Sequence, residues 1–181
     1  MDRCGRKFTN LIRVWYIIQK FFRIIKSWAN LQNEEYGGDD MSDCKQGDLG
    51  TSNVKAVQHM YAAFAKRDIN AILGMLSPDV EWREPSNPFN PAAGTRYGHE
   101  GFMEWLNIGR QSEEILALVP RKFLSDGDTV AVVGYTKCLA KPTGRSYETD
   151  FVHLITIKDG KIVRFQEFFD TYAATEAFRQ R

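Results

Sequence analysis

Four strand-like runs joined by three short turns fill the second half of this chain, and no other feature limits its fold as much. ILALVPRKFL (115–124), TVAVVGYTKCLA (129–140), RSYETDFVHLITI (145–157) and KIVRFQEFF (161–169) are rich in β-branched and aromatic residues. Between them stand SDGD, KPTG and KDG, each supplying Gly or Asp where a tight turn needs positive φ. Turns this short join antiparallel neighbours, so the runs predict an antiparallel meander.

The first half carries helical periodicity instead. Asn53 precedes VKAVQHMYAAFAKRD, where Val54, Val57, Tyr61 and Phe64 mark one helical face and Asn53 stands at the cap position. Asp68 caps a second, short helix, INAILGML, which Ser77 and Pro78 stop. VEWREP (80–85) reads as a strand, and PSNPFNPAAGTRYG after it as a long loop of the kind that covers something. Residues 98–111 place Phe102, Trp105, Leu106 and Gly109 at helical spacing, and Asp170 or Thr171 caps a final helix, TYAATEAFRQ. Helix, helix, strand, helix and then four strands is an α+β order that excludes a doubly wound parallel sheet.

Charge divides the chain. The 181 residues carry a net charge of only +1, which gives no pull toward nucleic acid. Residues 1–30 hold seven basic residues against Asp2, whereas residues 31–52 hold six acidic residues against Lys45, with Gly37 and Gly38 and no apolar period. This predicts a basic amphipathic extension over 1–30, an acidic flexible linker over 31–52 and a folded domain over 53–181. Within residues 8–29, Leu11, Trp15, Ile18, Phe22 and Ile25 share a helical face, with Arg13, Lys20 and Arg23 opposite. Such a helix would lie on an anionic membrane surface or dock on a partner. The alternative is that translation starts at Met41 and the head is no part of the functional protein. Cys4, Cys44 and Cys138 form no CxxC pair and are odd in number, which points to a reducing, cytoplasmic compartment and to neither a zinc site nor a disulfide framework.

With DINAILGMLSPDVEWREP in the first half, GTRYGHEGFMEWL after it and DGKIVRFQEFFDT near the end, residues 53–178 resemble the nuclear transport factor 2-like superfamily. Within it they look most similar to SnoaL-like and ketosteroid-isomerase-related proteins. The resemblance implies a cone of strongly curved, mostly antiparallel sheet wrapped by three to four helices, a pocket inside the cone, and a homodimer. It also implies site positions. The general-base aspartate of the ketosteroid isomerases maps to Glu84 in WREP, their oxyanion tyrosine to Met60 or Tyr61, and their protonated oxyanion aspartate to His153 in DFVHLITIKDG. With two of three positions changed, steroid isomerisation is not the expected reaction.

Strand alternation places Thr149, Phe151, His153, Ile155 and Ile157 on one face and Asp150, Val152, Leu154 and Thr156 on the other, without deciding which lines the pocket. A three-residue KDG loop with Gly160 in a bulge would pair His153 with Phe165 and Phe151 with Glu167, leaving His153 and Glu167 as diagonal neighbours. An imidazole held by a carboxylate and walled by Phe151, Phe165 and Phe169 can act as general base or acid, or can be a satisfied core histidine. Glu84 would carry a second proton if desolvated by Trp82, Trp105 or Phe89, and is otherwise a solvated strand end. Trp82, Trp105 and Tyr61 complete the expected ligand walls. His99, followed by Glu100, reads as a capping or exposed residue.

No Ser-His-Asp signature, HExxH, P-loop or GxGxxG occurs, so no cofactor or metal is expected. The expectation is proton transfer beside a carbonyl, as in a lyase or isomerase, acting on a small hydrophobic or carbonyl-containing ligand. A non-catalytic ligand-binding or dimerisation module is the alternative. An epoxide-hydrolase-like enzyme ranks third, because Asp150, Arg145 and Glu167 do not clearly share a face. Val152, Leu154, Ile162 and Phe168 are expected on an outer face that pairs with a second copy.

Overall fold

The computed structural model describes residues 46–180, with side chains from residue 49 onward. The predicted membrane-surface helix, the Met41 start and the linker up to residue 45 lie outside the described residues. Among the described residues no helix is long and apolar enough to cross a membrane.

Helix α1 (Gln46–Lys66) and helix α2 (Ile69–Met75) come first, then strands β1 (Leu76–Glu84) and β2 (Gly94–Tyr97) and helix α3 (Gly98–Ser112). The meander follows as β3 (Glu113–Asp126), β4 (Thr129–Ala140), β5 (Arg145–Lys158) and β6 (Lys161–Phe169), and helix α4 (Thr171–Phe178) closes the chain. All strands belong to one sheet in the order β2-β1-β6-β5-β4-β3. Every pairing is antiparallel except β1 with β6, which run parallel. This is the expected α+β, mostly antiparallel curved sheet.

Several boundaries differ from the sequence reading. Helix α1 starts at Gln46, so residues 46–52 are helix where the sequence reading had linker, and Asn53 is an interior residue and not a cap. It is buried, and its side-chain amide donates to the Gly127 carbonyl at 3.3 Å, fastening α1 to the β3–β4 turn. Asp68 does cap α2, accepting from the Ala71 amide at 3.0 Å. No Ser-Pro stop is needed, because the strand begins at Leu76, directly after the helix. The Pro-rich loop after Glu84 is shorter than expected, since Gly94–Tyr97 return as β2 along the free edge of β1. An edge strand tolerates the prolines upstream of it, which is why composition hid it.

The hairpin register is the correction that matters most for the site. Asp159 and Gly160 both have positive φ, 49° and 72°, so they form a two-residue turn that pairs Lys158 with Lys161. A bulge between Thr156 and Ile157 then shifts the register by one. His153 therefore lies directly opposite Glu167, Phe151 opposite Phe169, and Ile155 opposite Phe165. The bulge also turns Ile162 inward, where it is 2% exposed, rather than onto the outer face.

The concave face is the odd-numbered face of β5 and the even-numbered face of β4. Phe151, His153, Ile155 and Ile157 are buried on the first, and Val130, Val132, Thr136 and Cys138 on the second. Val57, Met60 and Tyr61 from α1 and Phe102 and Leu106 from α3 pack onto it. A separate small cluster of Ala140, Ala177 and Phe178 seats α4, with Tyr147 against it. Gly134 lets the sheet close tightly over this face: a Cβ there would meet Phe151 Cζ and stand 2.6 Å from the Val119 carbonyl oxygen.

Candidate functional site

Four polar side chains converge where β1, β6 and β5 meet under α1. His153 is 5% exposed and sits between aromatic rings, with Phe151 stacked at 4.2 Å between centroids and Phe165 tilted at 4.8 Å. Its Nδ1 lies 2.5 Å from the Tyr61 hydroxyl, and its Nε2 lies 2.9 Å from Glu167 Oε1. Burial, reinforced by the negative field of Glu167, pushes the Tyr61 phenol up and keeps it protonated. The phenol therefore donates to Nδ1, which leaves the ring proton on Nε2 to donate to Glu167.

Glu84 completes the chain. It leaves the end of β1 on the same face as Trp82, whose indole nitrogen donates to Glu84 Oε1 at 3.3 Å. The parallel pairing of Arg83 with Gln166 brings Glu84 beside Glu167, close enough for the two carboxyl groups to act on each other. Desolvation raises Glu84 well above the ordinary carboxyl value, and the charge of Glu167 raises it further. Desolvation also raises Glu167, against the hydrogen bond from Glu84 that favours its ionised form. Two neighbouring carboxyls in low dielectric do not both ionise, so this pair holds one proton, mainly on Glu84, with Glu167 as the acceptor. His153 is pushed down to about 3 chiefly by burial, and stays neutral.

The sequence-derived residues thus separate into two groups. Tyr61, His153, Glu167 and Glu84 are brought together, on the Tyr61 side of the Met60/Tyr61 alternative. Trp82, Phe165, Trp105 and Phe151 pack around them in the core: Trp82 stacks on Phe165 at 3.9 Å between centroids and tilts against Trp105 at 4.8 Å. Phe169, opposite Phe151, is half-buried. Phe89 does not desolvate Glu84. It is 43% exposed and lies under the Arg179 guanidinium, 5.4 Å from ring centroid to Cζ. His99 is half-buried and its Nε2 bonds the Leu76 carbonyl at 3.3 Å, which ties α3 to β1 rather than serving the site. The arginine-bridged carboxylates of an epoxide hydrolase are not assembled. Asp150 pairs with Arg121 at 3.2 Å on the outer face, and Arg145 bonds the Arg179 carbonyl.

A second polar group went unread in the sequence. Tyr147 donates to Glu113 Oε1 at 2.5 Å, Cys138 lies across from Tyr147 in the β4–β5 register, and the Thr136 hydroxyl, 3.5 Å from the Cys138 sulfur, donates to the Ala117 carbonyl at 3.0 Å. Burial raises Glu113, with the nearby Glu84 adding to it, and pushes the Cys138 thiol up to about 12, too high for a reactive thiolate. Tyr147 shares the parity of His153 along β5, a signal that period-two alternation could have delivered. Glu113 was masked because bulges at Ile115/Ala117 and Pro120/Lys122 break the alternation of β3.

Comparison with known proteins finds relatives of this chain. A family model described as a SnoaL-like domain matches residues 57–165. A solved nuclear transport factor 2-like protein from Burkholderia xenovorans is 32% identical, with a TM-score of 0.66, and the match covers 72% of this chain and 98% of that one. TerC, co-crystallised with polyporic acid, is 36% identical with a TM-score of 0.65, over 71% of this chain and 99% of that one. An uncharacterised protein of Mycobacterium tuberculosis is 26% identical over 70% of this chain and 95% of its own length.

Proposed function

Because the chain belongs to the SnoaL-like domain family of the nuclear transport factor 2-like superfamily, we propose that its concave face binds a small carbonyl compound and moves a proton beside that carbonyl. The observation that carries this reading is that Tyr61 and Glu167 engage the two ring nitrogens of His153, with the Glu84 carboxyl beside that of Glu167.

Glu167 is the base. Its carboxylate takes a proton from the carbon next to the carbonyl, and the C–H electron pair becomes the enolate double bond. Taking that proton releases the Glu84 hydrogen from Glu167, so the Glu84 carboxyl turns to the developing oxyanion and donates to it. Return of a proton to a different carbon completes an isomerisation, and departure of a group at the β carbon completes a lyase reaction. His153 has both ring nitrogens engaged and acts as a positioning residue that orients Glu167. Tyr61 holds its tautomer.

The co-crystallisation of TerC with polyporic acid supports a small organic ligand. The proposed protein partner is a second copy of this chain. Phe168, Val152 and Val133 lie in register across β6, β5 and β4 on the outer face, and Phe168 is 44% and Val133 36% exposed. The buried, unreactive Cys138 thiol fits a reducing, cytoplasmic setting. The satisfied His153 favours one rival, a binding module without chemistry.

Deuterium exchange into 2-tetralone in heavy water, followed by NMR, tests the reading. Wild-type protein should accelerate exchange at the carbon beside the carbonyl, and Glu167→Gln should lower the rate by about 100-fold or more. Binding of 2-tetralone without accelerated exchange would establish the rival.

A further inference from the structure

Glu113 stands where stability alone would not put a carboxyl. It is the residue that ends α3, beside the helix carbonyls, where a cation is favoured and an anion is not. At that helix end Lys141 bonds the Arg110 carbonyl, and the carboxyl of Glu113 adjoins those of Glu84 and Glu167. Its side chain nevertheless faces the concave side. Glu113 pairs with Ala140, Ala140 is fully buried on the inward face of β4, and the Glu113 carboxyl meets the phenol of Tyr147 from β5. Both side chains are half-buried and so remain reachable.

The Tyr147 ring lies 6.4 Å from that of Phe169, which is opposite Phe151, itself stacked on His153. A row of packed aromatic rings thus links the Tyr61–His153–Glu167–Glu84 group to the Glu113–Tyr147 pair. The groups between the two polar ends are flat rings, and the ends offer carboxyl and phenol groups as hydrogen-bonding partners.

Resting on the proposed function for its reacting end, we propose that Glu113 and Tyr147 form a second polar subsite that selects uncharged aromatic ligands carrying a hydroxyl or carbonyl at each end. The reacting end meets Glu84 and Glu167, and the far oxygen hydrogen-bonds to Glu113 and Tyr147. A carboxylate or phosphate on the ligand would face the carboxyl groups of Glu84, Glu167 and Glu113, and is rejected.

The test compares 2,6-dihydroxynaphthalene, 2-naphthol and naphthalene-2-carboxylate by quenching of tryptophan fluorescence, since Trp82 and Trp105 line the reacting end. Wild-type protein should bind the diol about tenfold tighter than 2-naphthol, the worth of one added hydrogen bond of ordinary strength, and the carboxylate weakest. In Tyr147→Phe and in Glu113→Gln that ratio should fall toward one. Glu113→Gln keeps a neutral partner for Tyr147, so it guards against misfolding of Tyr147→Phe, and circular dichroism verifies the fold of both. An unchanged ratio in both folded variants, equal affinities in the wild type, or tightest binding of the carboxylate overturns the subsite. Exchange of 2-tetralone that still depends on Glu167 would then leave the proposed function standing. A ratio that collapses as expected while exchange is absent would keep the subsite and remove the chemistry.

Discussion

His153 and Glu167 face each other across the β5–β6 pair with Nε2 and Oε1 2.9 Å apart, and the other ring nitrogen is taken by Tyr61 at 2.5 Å. The imidazole is therefore a bridge between a helix and a strand, and its loss removes one buried and one partly buried hydrogen bond together.

Replacing His153 with Phe fills the volume and strands both partners. The expected cost is about 1–3 kcal/mol, the penalty for leaving buried polar groups unpaired, read from the urea midpoint. Retained stability would mean that the ring was not holding Tyr61 and Glu167.

Stability should fall on both sides of an optimum. His153 is depressed from 6.5 to about 3 in the folded state, so the unfolded chain takes up its proton first and stability is lost as pH falls below about 6.5. Glu84 has the opposite sign. Its folded value lies above the ordinary 4.5, so the unfolded chain ionises first and stability is lost as pH rises from there toward the folded value. Thermal melts across pH should show the alkaline-side loss reduced in Glu84→Gln and the acid-side loss reduced in His153→Gln. Parallel curves for all three proteins would contradict this assignment.

Much of the scaffold was legible because local chemistry decided it. The meander turns carry their glycines, and Asp68 and Asp170 cap the helices that they precede. What could not be read was set at longer range. Two positive-φ residues at Asp159 and Gly160 and one bulge moved His153 from a diagonal to a direct neighbour of Glu167. β2 was hidden because its pairing lies with β1 rather than in its own composition. The contact of Glu84 with Glu167 needs the parallel β1–β6 pairing, which joins segments about eighty residues apart and leaves no local trace. Two bulges in β3 break the alternation that would mark Glu113 as inward-facing, and with it the pair it forms with Tyr147.

Gly134→Ala should destabilise the fold by about 1–3 kcal/mol, because the added methyl group must displace Phe151 or the β3 backbone. Phe151 stacks on His153, so ligand affinity should fall with it. Urea titration and fluorescence quenching read the two effects separately, and a neutral result in both would show that the sheet gives way without cost.

Light scattering at micromolar concentration should give a dimer, and Phe168→Glu with Val152→Glu a monomer of unchanged fold. These side chains face each other across the β6–β5 pair on the outer surface, where two carboxylates cannot be buried against a second copy. A monomeric wild type would remove the second copy from the account.

The single proton held between Glu84 and Glu167 underlies the chemistry, and carbon-13 NMR of glutamate-labelled protein measures it directly. As pH rises, one site carboxyl signal should titrate well above the ordinary glutamate range. In Glu167→Gln the remaining Glu84 signal should titrate lower than in the wild type, because its charged neighbour is gone. Two site carboxyls titrating together at ordinary values, unaffected by each other's removal, would contradict the shared proton and the base role of Glu167 built on it.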